Sequence, residues 1–325
     1  LGGESRRKAE DEAGSDGRSR LRPYNLRGGE RAPYYGLTRL AAMRYPRRSA
    51  ALCHMVSAKK AAPAAQEAET VVGRIAMTNG AGGEGAMPRK TRILVFVHGS
   101  GDSERVWEPL VTRLPEYECM ALDLPGHGAL VDRPGPVDMR VDDYAAAVHA
   151  ELARRGLAGV CLVGHSLGSA IALRMALDYP SQVNRLALIG GGARLRVLPA
   201  LLDEARTSPE TAKEKLTRLA FAPTNETRAP AQIAAMGPLA PGMLARDLSA
   251  CDAFDMMGDL GRVAQPTLVV VGEEDRLTPP KYAAYLRDSL ADARLVTVPG
   301  AGHYVALEAP DAVADALRRW LESNT

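Results

Sequence analysis

Cysteine is scarce in this chain, neither sign of charge prevails, and no long apolar run interrupts it. The four cysteines (Cys53, Cys119, Cys161 and Cys251) are scattered over 325 residues with no CxxC spacing. That argues against a disulfide framework, and no His/Cys/Asp grouping has the spacing of a metal site, so no metal is expected. Cys119 and Cys161 fall inside apolar, strand-like runs, where cysteine behaves as a small hydrophobe and should be buried. Forty-one basic residues face 39 acidic ones, a net charge of +2, so neither a nucleic-acid partner nor a charged membrane surface is expected. No stretch approaches the roughly 20 apolar residues of a membrane span. No G-x-G-x-x-G opens the first helix, so no dinucleotide cofactor is expected.

What is present divides into two compositions. Residues 1–68 read as a disordered extension: "GGESRRKAEDEAGSDGRSRLRPYNLRGGERAPYYG" has no apolar periodicity. Leu37 to Ala65 is Arg- and Ala-rich and faintly amphipathic, but the acids upstream speak against a transit peptide. The hydrophilic start shows no secretory signal, and the chain opens on Leu1. The expectation is therefore a soluble, cytoplasmic protein whose natural start is Met43 or Met55.

From about Val71 the punctuation is regular. "RILVFVHG", "YECMALDLPGHG", "GVCLVG", "NRLALIGGG", "TLVVVGEED" and "ARLVTVPGAGH" each carry a short apolar run that ends in a loop. Such runs predict buried strands. Helices are predicted between them, over "VDDYAAAVHAELARRG", after Gly164 up to Pro180, over "PPKYAAYLRDSL" and over "APDAVADALRRWL". The last carries the apolar stripe Val313, Leu317, Trp320 and Leu321. Continuous apolar strands alternating with helices predict a doubly wound, mostly parallel α/β sheet over 69–193 and 264–325. Between them, residues 194–263 read as helices broken by Pro and Gly, inserted as a cap.

In such sheets ligands collect at the carboxyl ends of the strands. The loops expected on that rim hold His98-Gly99-Ser100-Gly101, Gly164-His165-Ser166-Leu167-Gly168, Gly272 to Asp275 and Gly300 to His303. A serine, an acid and a histidine thus follow one another as Ser166, Asp275 and His303, with Glu273 and Glu274 rivals for the acid. From Val71 to Thr325 the chain resembles an α/β-hydrolase-fold serine hydrolase of the cap-bearing esterase and lactonase type. G-x-S-x-G between strand and helix is that fold's nucleophile elbow, and serine–acid–histidine is its order. The resemblance favours Asp275, through the pattern G-x-x-D-x-x-x-P (Gly272, Asp275, Pro279). The other position used by relatives is Gly190-Gly191-Gly192 here, without a carboxylate.

The resemblance implies Ser166 as nucleophile, His303 as base, Asp275 as its orienting acid, and the N–H groups of Ser100 and Leu167 as the oxyanion hole. It implies a small-molecule carboxylic ester, lactone or thioester with an apolar part, and no cofactor. Carbon–carbon bond hydrolysis, peracid formation and small-molecule reception occur on the same triad and stay open. Epoxide hydrolases and haloalkane dehalogenases carry Asp at the elbow, where this chain has Ser166. Gly99, Trp107, His165, Phe254, Met257 and Tyr304 are expected to line the pocket; Phe221, Met236, Met243 and Met256 read mostly as core. His98 should shape the oxyanion loop, His127 should serve a turn, and His149 should sit on a helix without a chemical role.

Overall fold

The computed structural model describes residues 75–76, 93–236 and 240–323. The extension, Cys53 and the candidate starts Met43 and Met55 lie outside them. The strands are β1 (Ile75–Ala76), β2 (Ile93–Val97), β3 (Glu118–Leu122), β4 (Val160–His165), β5 (Val183–Ile189), β6 (Thr267–Gly272) and β7 (Ala293–Val298). The helices are α1 (Glu108–Val111), α2 (Val141–Arg154), α3 (Leu167–Asp178), α4 (Pro199–Thr207), α5 (Pro209–Ala220), α6 (Ala229–Met236), α7 (Met243–Ala253), α8 (Pro280–Ser289), α9 (Val305–Glu308) and α10 (Pro310–Ser323).

One seven-stranded sheet has the order β1-β3-β2-β4-β5-β6-β7. β1 runs antiparallel to β3, and the other six strands are parallel. The predicted strands all form, and their unbroken apolar character has a plain cause: both faces are covered. Side chains alternate across a strand, so Val95 and Val97 join one core while Leu94 and Phe96 join the other. β4, β5 and β6 divide in the same way, as Leu162 against Cys161 and Val163 shows. Cys119 and Cys161 are buried, as their context predicts. β7 closes one edge, where Arg294 and Thr297 are exposed.

α10 seals the second core. Val313, Leu317, Trp320 and Leu321 are all at most 3 % exposed, each worth about 1.5–3 kcal/mol relative to an exposed position. α2 begins where the acids predict: the Asp143 carboxylate accepts the Arg140 N–H at 2.8 Å, satisfying an otherwise open donor. Between β5 and β6 the chain builds α4 to α7, whose Ala205, Ala212, Leu244 and Leu248 form a small apolar cluster of their own.

The strand order places a switch point between β2 and β4. From β2 the chain moves outward to β3, then returns to β4 on the other side. In open α/β sheets the crevice at such a point receives the ligand. The loop after β2 carries His98 to Asp102, and the turn after β4 carries Ser166.

Candidate active site

Ser166 sits where β4 turns into α3, with φ 53° and ψ −114°. It is the sole non-glycine of the described residues with positive φ, a conformation costing on the order of 1–3 kcal/mol. Its surroundings hold it there. The Ser166 N–H donates to Ile189 O at 3.0 Å, and its carbonyl accepts Ser169 N–H at 2.9 Å. The flanking glycines permit the turn by proximity: a Cβ at Gly164 would lie 2.2 Å from Gly168 O, and one at Gly168 would lie 2.1 Å from Val97 O. Leu167 is the first residue of α3, so its N–H has no carbonyl four residues back to bind.

His303 follows β7, and Asp275 follows β6. The Asp275 Oδ2 accepts from His303 Nδ1 at 2.9 Å, with both side chains at most 5 % exposed. Asp275 Oδ1 accepts the N–H groups of Leu277 and Thr278 at 2.9 and 2.8 Å. The Thr278 hydroxyl lies 2.8 Å from Asp275 Oδ2, 2.9 Å from Gly190 O and 3.0 Å from His303 Nδ1. Burial alone would push the Asp275 carboxyl up; the His303 imidazole and the Thr278 donors outweigh it and hold the group below the usual carboxylate range. With Nδ1–H committed to the carboxylate, Nε2 is the basic nitrogen. Of the three acids in "GEED", only Asp275 touches the imidazole.

The loop after β2 is held from beneath. Leu124 N–H donates to His98 Nε2 at 3.0 Å, which leaves the ring proton on Nδ1, and that proton is donated to Gly99 O at 2.8 Å. Gly99 O also accepts Asp102 N–H at 3.3 Å. A trans peptide points its N–H opposite its carbonyl, so pinning Gly99 O fixes the direction of Ser100 N–H. Burial lowers His98 to about 3, so the ring is neutral and serves the loop. His165 is likewise lowered to about 3 by burial, with the His303 charge adding to it. Its Nε2–H donates to His303 O at 3.0 Å, tying the two rim loops together.

Ser166, His303, Gly99, Ser100, His165 and Tyr304 all line one cavity of about 240 Å³. Its far wall is apolar, built by Leu201, Leu216, Leu219 and Leu248 from α4, α5 and α7. A larger groove of about 490 Å³ runs along residues 134–140 and α7 but touches none of Ser166, Asp275 or His303. The smaller cavity, which holds the reactive groups, is the candidate site.

Three expected pocket residues are not there. Trp107 is fully buried beneath the rim, its ring 5.1 Å from Phe96 and edge-on to His165. Phe254 ends α7 inside the first core, and Met257 is 42 % exposed on the surface. For Phe254 and Met257 the reason is register: past the end of α7 the chain turns away from the cavity, whereas leucines within the helices face it. Leu216 and Leu219, three apart in the charged stretch "TAKEKLTRLA", were the legible signal. Phe221, Met236, Met243 and Met256 are buried, as expected.

Residues that carried no signal also matter. Thr278 braces the acid–imidazole pair. The Glu308 carboxylate accepts Gly302 N–H at 2.9 Å and Ala222 N–H at 2.9 Å, fastening the His303 loop to the end of α5. His127 does more than serve a turn: it forms a buried pair with Asp247 at 2.8 Å. His149 lies on α2, stacked on Tyr179 at 3.9 Å between centroids. Among the described residues, no group of three or more His, Cys, Asp or Glu side chains could hold a metal ion, and no helix is long and apolar enough to cross a membrane.

An imidazole oriented by a buried carboxylate and a strained serine at a helix N-terminus, lining one cavity, can together carry acyl transfer. The model of the alpha/beta hydrolase family matches residues 94–316. A pimeloyl-[acyl-carrier protein] methyl ester esterase of Neisseria meningitidis is 29% identical over 258 residues, covering 74% of this chain and 96% of that one. A 2-succinyl-6-hydroxy-2,4-cyclohexadiene-1-carboxylate synthase of Serratia proteamaculans is 30% identical over 249 residues, covering 70% of this chain and 92% of that one. Among solved structures, a thermophilic esterase is 34% identical with a TM-score of 0.59, covering 71% of this chain and 89% of that one. The chain belongs to the alpha/beta hydrolase family and is an enzyme of its esterase type.

Proposed function

We propose that the enzyme hydrolyses a small carboxylic ester with an apolar acyl part through an acyl-Ser166 intermediate. Ser166 Oγ attacks the ester carbonyl as His303 Nε2 takes its proton. The resulting oxyanion is received by the N–H groups of Ser100 and Leu167. The tetrahedral adduct collapses, His303 returns the proton to the departing alcohol, and a water activated by the same nitrogen then releases the acid. Asp275 keeps the imidazole in the tautomer this requires and balances the imidazolium charge. The helices of residues 194–263 act as the cap, their leucines supplying the acyl wall. No metal or organic cofactor takes part, and the enzyme works as a soluble, cytoplasmic protein.

The observation that carries this reading is the Asp275–His303 pair, 2.9 Å apart, whose imidazole lines the same cavity as a strained serine. An ester is the acyl compound that needs least help at its leaving group, and the leucine wall suits an alkyl acyl chain better than a charged one. The Neisseria relative is named for a methyl ester too, one whose pimeloyl group is carried on an acyl-carrier protein. The test is labelling by a fluorophosphonate together with turnover of p-nitrophenyl esters of increasing acyl length. Wild type should label and turn over, and Ser166→Ala should do neither. A Ser166→Ala protein that keeps its turnover overturns the proposal.

A further inference from the structure

Asp247 belongs to α7, yet its carboxylate is wholly buried against the opposite rim. Its Oδ2 accepts Gly101 N–H at 3.0 Å and faces His127 Nε2 at 2.8 Å. Its Oδ1 accepts the Tyr144 hydroxyl, whose oxygen in turn accepts Arg246 Nε–H at 2.9 Å. His127 Nδ1 lies 3.2 Å from Pro125 O. Both ring nitrogens therefore face acceptors, which only an imidazolium satisfies. Burial opposes charge on both groups; their pairing prevails, holding Asp247 below the carboxylate range and His127 above the imidazole range.

This buried ion pair is attached to the oxyanion loop. Gly99 to Asp102 form a turn closed by Asp102 N–H on Gly99 O at 3.3 Å, with Gly101 at φ 69°. That is the positive φ a type II turn demands at its third residue. The N–H of Gly101, spent on Asp247, and the N–H of Ser100 lie in successive peptide planes joined at one Cα. One helical turn along α7, Cys251 Sγ stands 3.5 Å from Ser100 Oγ. α7 thus grips the turn at two adjacent residues. His98 fixes Gly99 O from the sheet side, and Asp247 fixes Gly101 N–H from the helix side.

We infer that Asp247 is a positioning residue that aims the Ser100 N–H at the developing oxyanion, making α7 part of the oxyanion apparatus as well as a wall of the cavity. The inference rests on the proposed role of Ser100 N–H, and it adds that the helical segment cannot shift at α7 without disturbing that donor.

The test is Asp247→Asn in the full chain, with rates expressed per serine titrated by fluorophosphonate so that misfolded protein does not count. For p-nitrophenyl acetate, kcat should fall about 10- to 100-fold with KM within about twofold. Affinity for an alkyl trifluoromethyl ketone, whose serine adduct carries the same oxyanion, should fall by the same factor. A merely structural residue would lower melting temperature or active fraction but leave both per-site quantities unchanged. A folded variant whose kcat and ketone affinity stay within about twofold of wild type overturns the inference. Should Asp247→Asn not fold, Tyr144→Phe removes one donor from the same carboxylate. It should lower both quantities about three- to tenfold, and unchanged values overturn the inference equally. Turnover surviving in Ser166→Ala would instead sink the acyl-Ser166 mechanism on which the inference rests.

Discussion

Gly168→Ala adds one methyl group at the third residue after β4, and the structure states what that methyl meets. It would lie 2.1 Å from Val97 O and 2.8 Å from His98 O. Real Cβ contacts do not fall below 3.0 Å, and both obstacles are backbone at the end of a central strand. No rotamer relieves them, so α3 must lift from β2 by roughly 1 Å, the scale at which misplacement costs about 10²-fold in rate. That displacement separates Leu167 N–H and Ser166 from Ser100 N–H, the groups proposed to act on one carbonyl. Overpacking of this kind costs about 1–3 kcal/mol, and each kcal/mol lowers the melting temperature by about 2–4 °C in a domain of this size. The assay pairs thermal unfolding with p-nitrophenyl acetate kinetics. The control is Gly258→Ala, where an added Cβ meets nothing within 4 Å. Expected are a kcat reduced by about two orders of magnitude, a depressed melting temperature and an unchanged control. Wild-type kcat and stability in Gly168→Ala would refute the claim that the close approach of α3 and β2 sets the site.

Asp275→Asn should cut kcat about 10⁴-fold. Oδ1 keeps its two backbone donors, while the new amide N–H faces His303 Nδ1 and forces the wrong tautomer; near-normal kcat with a loss in Glu274→Gln would displace the acid assignment. The Asp247–His127 pair should shape the pH dependence of stability. His127, raised on folding, stabilises fully below its ordinary value of about 6.5, and this is lost as pH rises through its folded value. Asp247, lowered on folding, stabilises fully above about 3.9, and this is lost as pH falls through its folded value. The melting-temperature advantage of wild type over Asp247→Asn should therefore be greatest between about pH 4 and 6.5 and shrink toward pH 9. A difference independent of pH from 5 to 9 would show that the pair is not ionic.

Much of this was legible along the chain because it is local. An apolar run long enough for one strand, ended by Gly, is a strand wherever both faces are covered, so β2 to β7 could be read one by one. Gly164 and Gly168 announced a tight turn, three loops on one rim offered Ser166, an acid of "GEED" and His303, and the family resemblance favoured Asp275 among those acids. Tertiary contact decided the remainder. Asp247 and His127 are 120 residues apart, and nothing near either marks it as half of a buried ion pair. Phe254 and Met257 look like pocket residues by composition, yet the cavity wall came from leucines on α4, α5 and α7, because facing depends on how helices pack. Periodicity is written in neighbouring residues, whereas the partner of a buried charge and the direction a helix faces are set only when distant segments exclude water together.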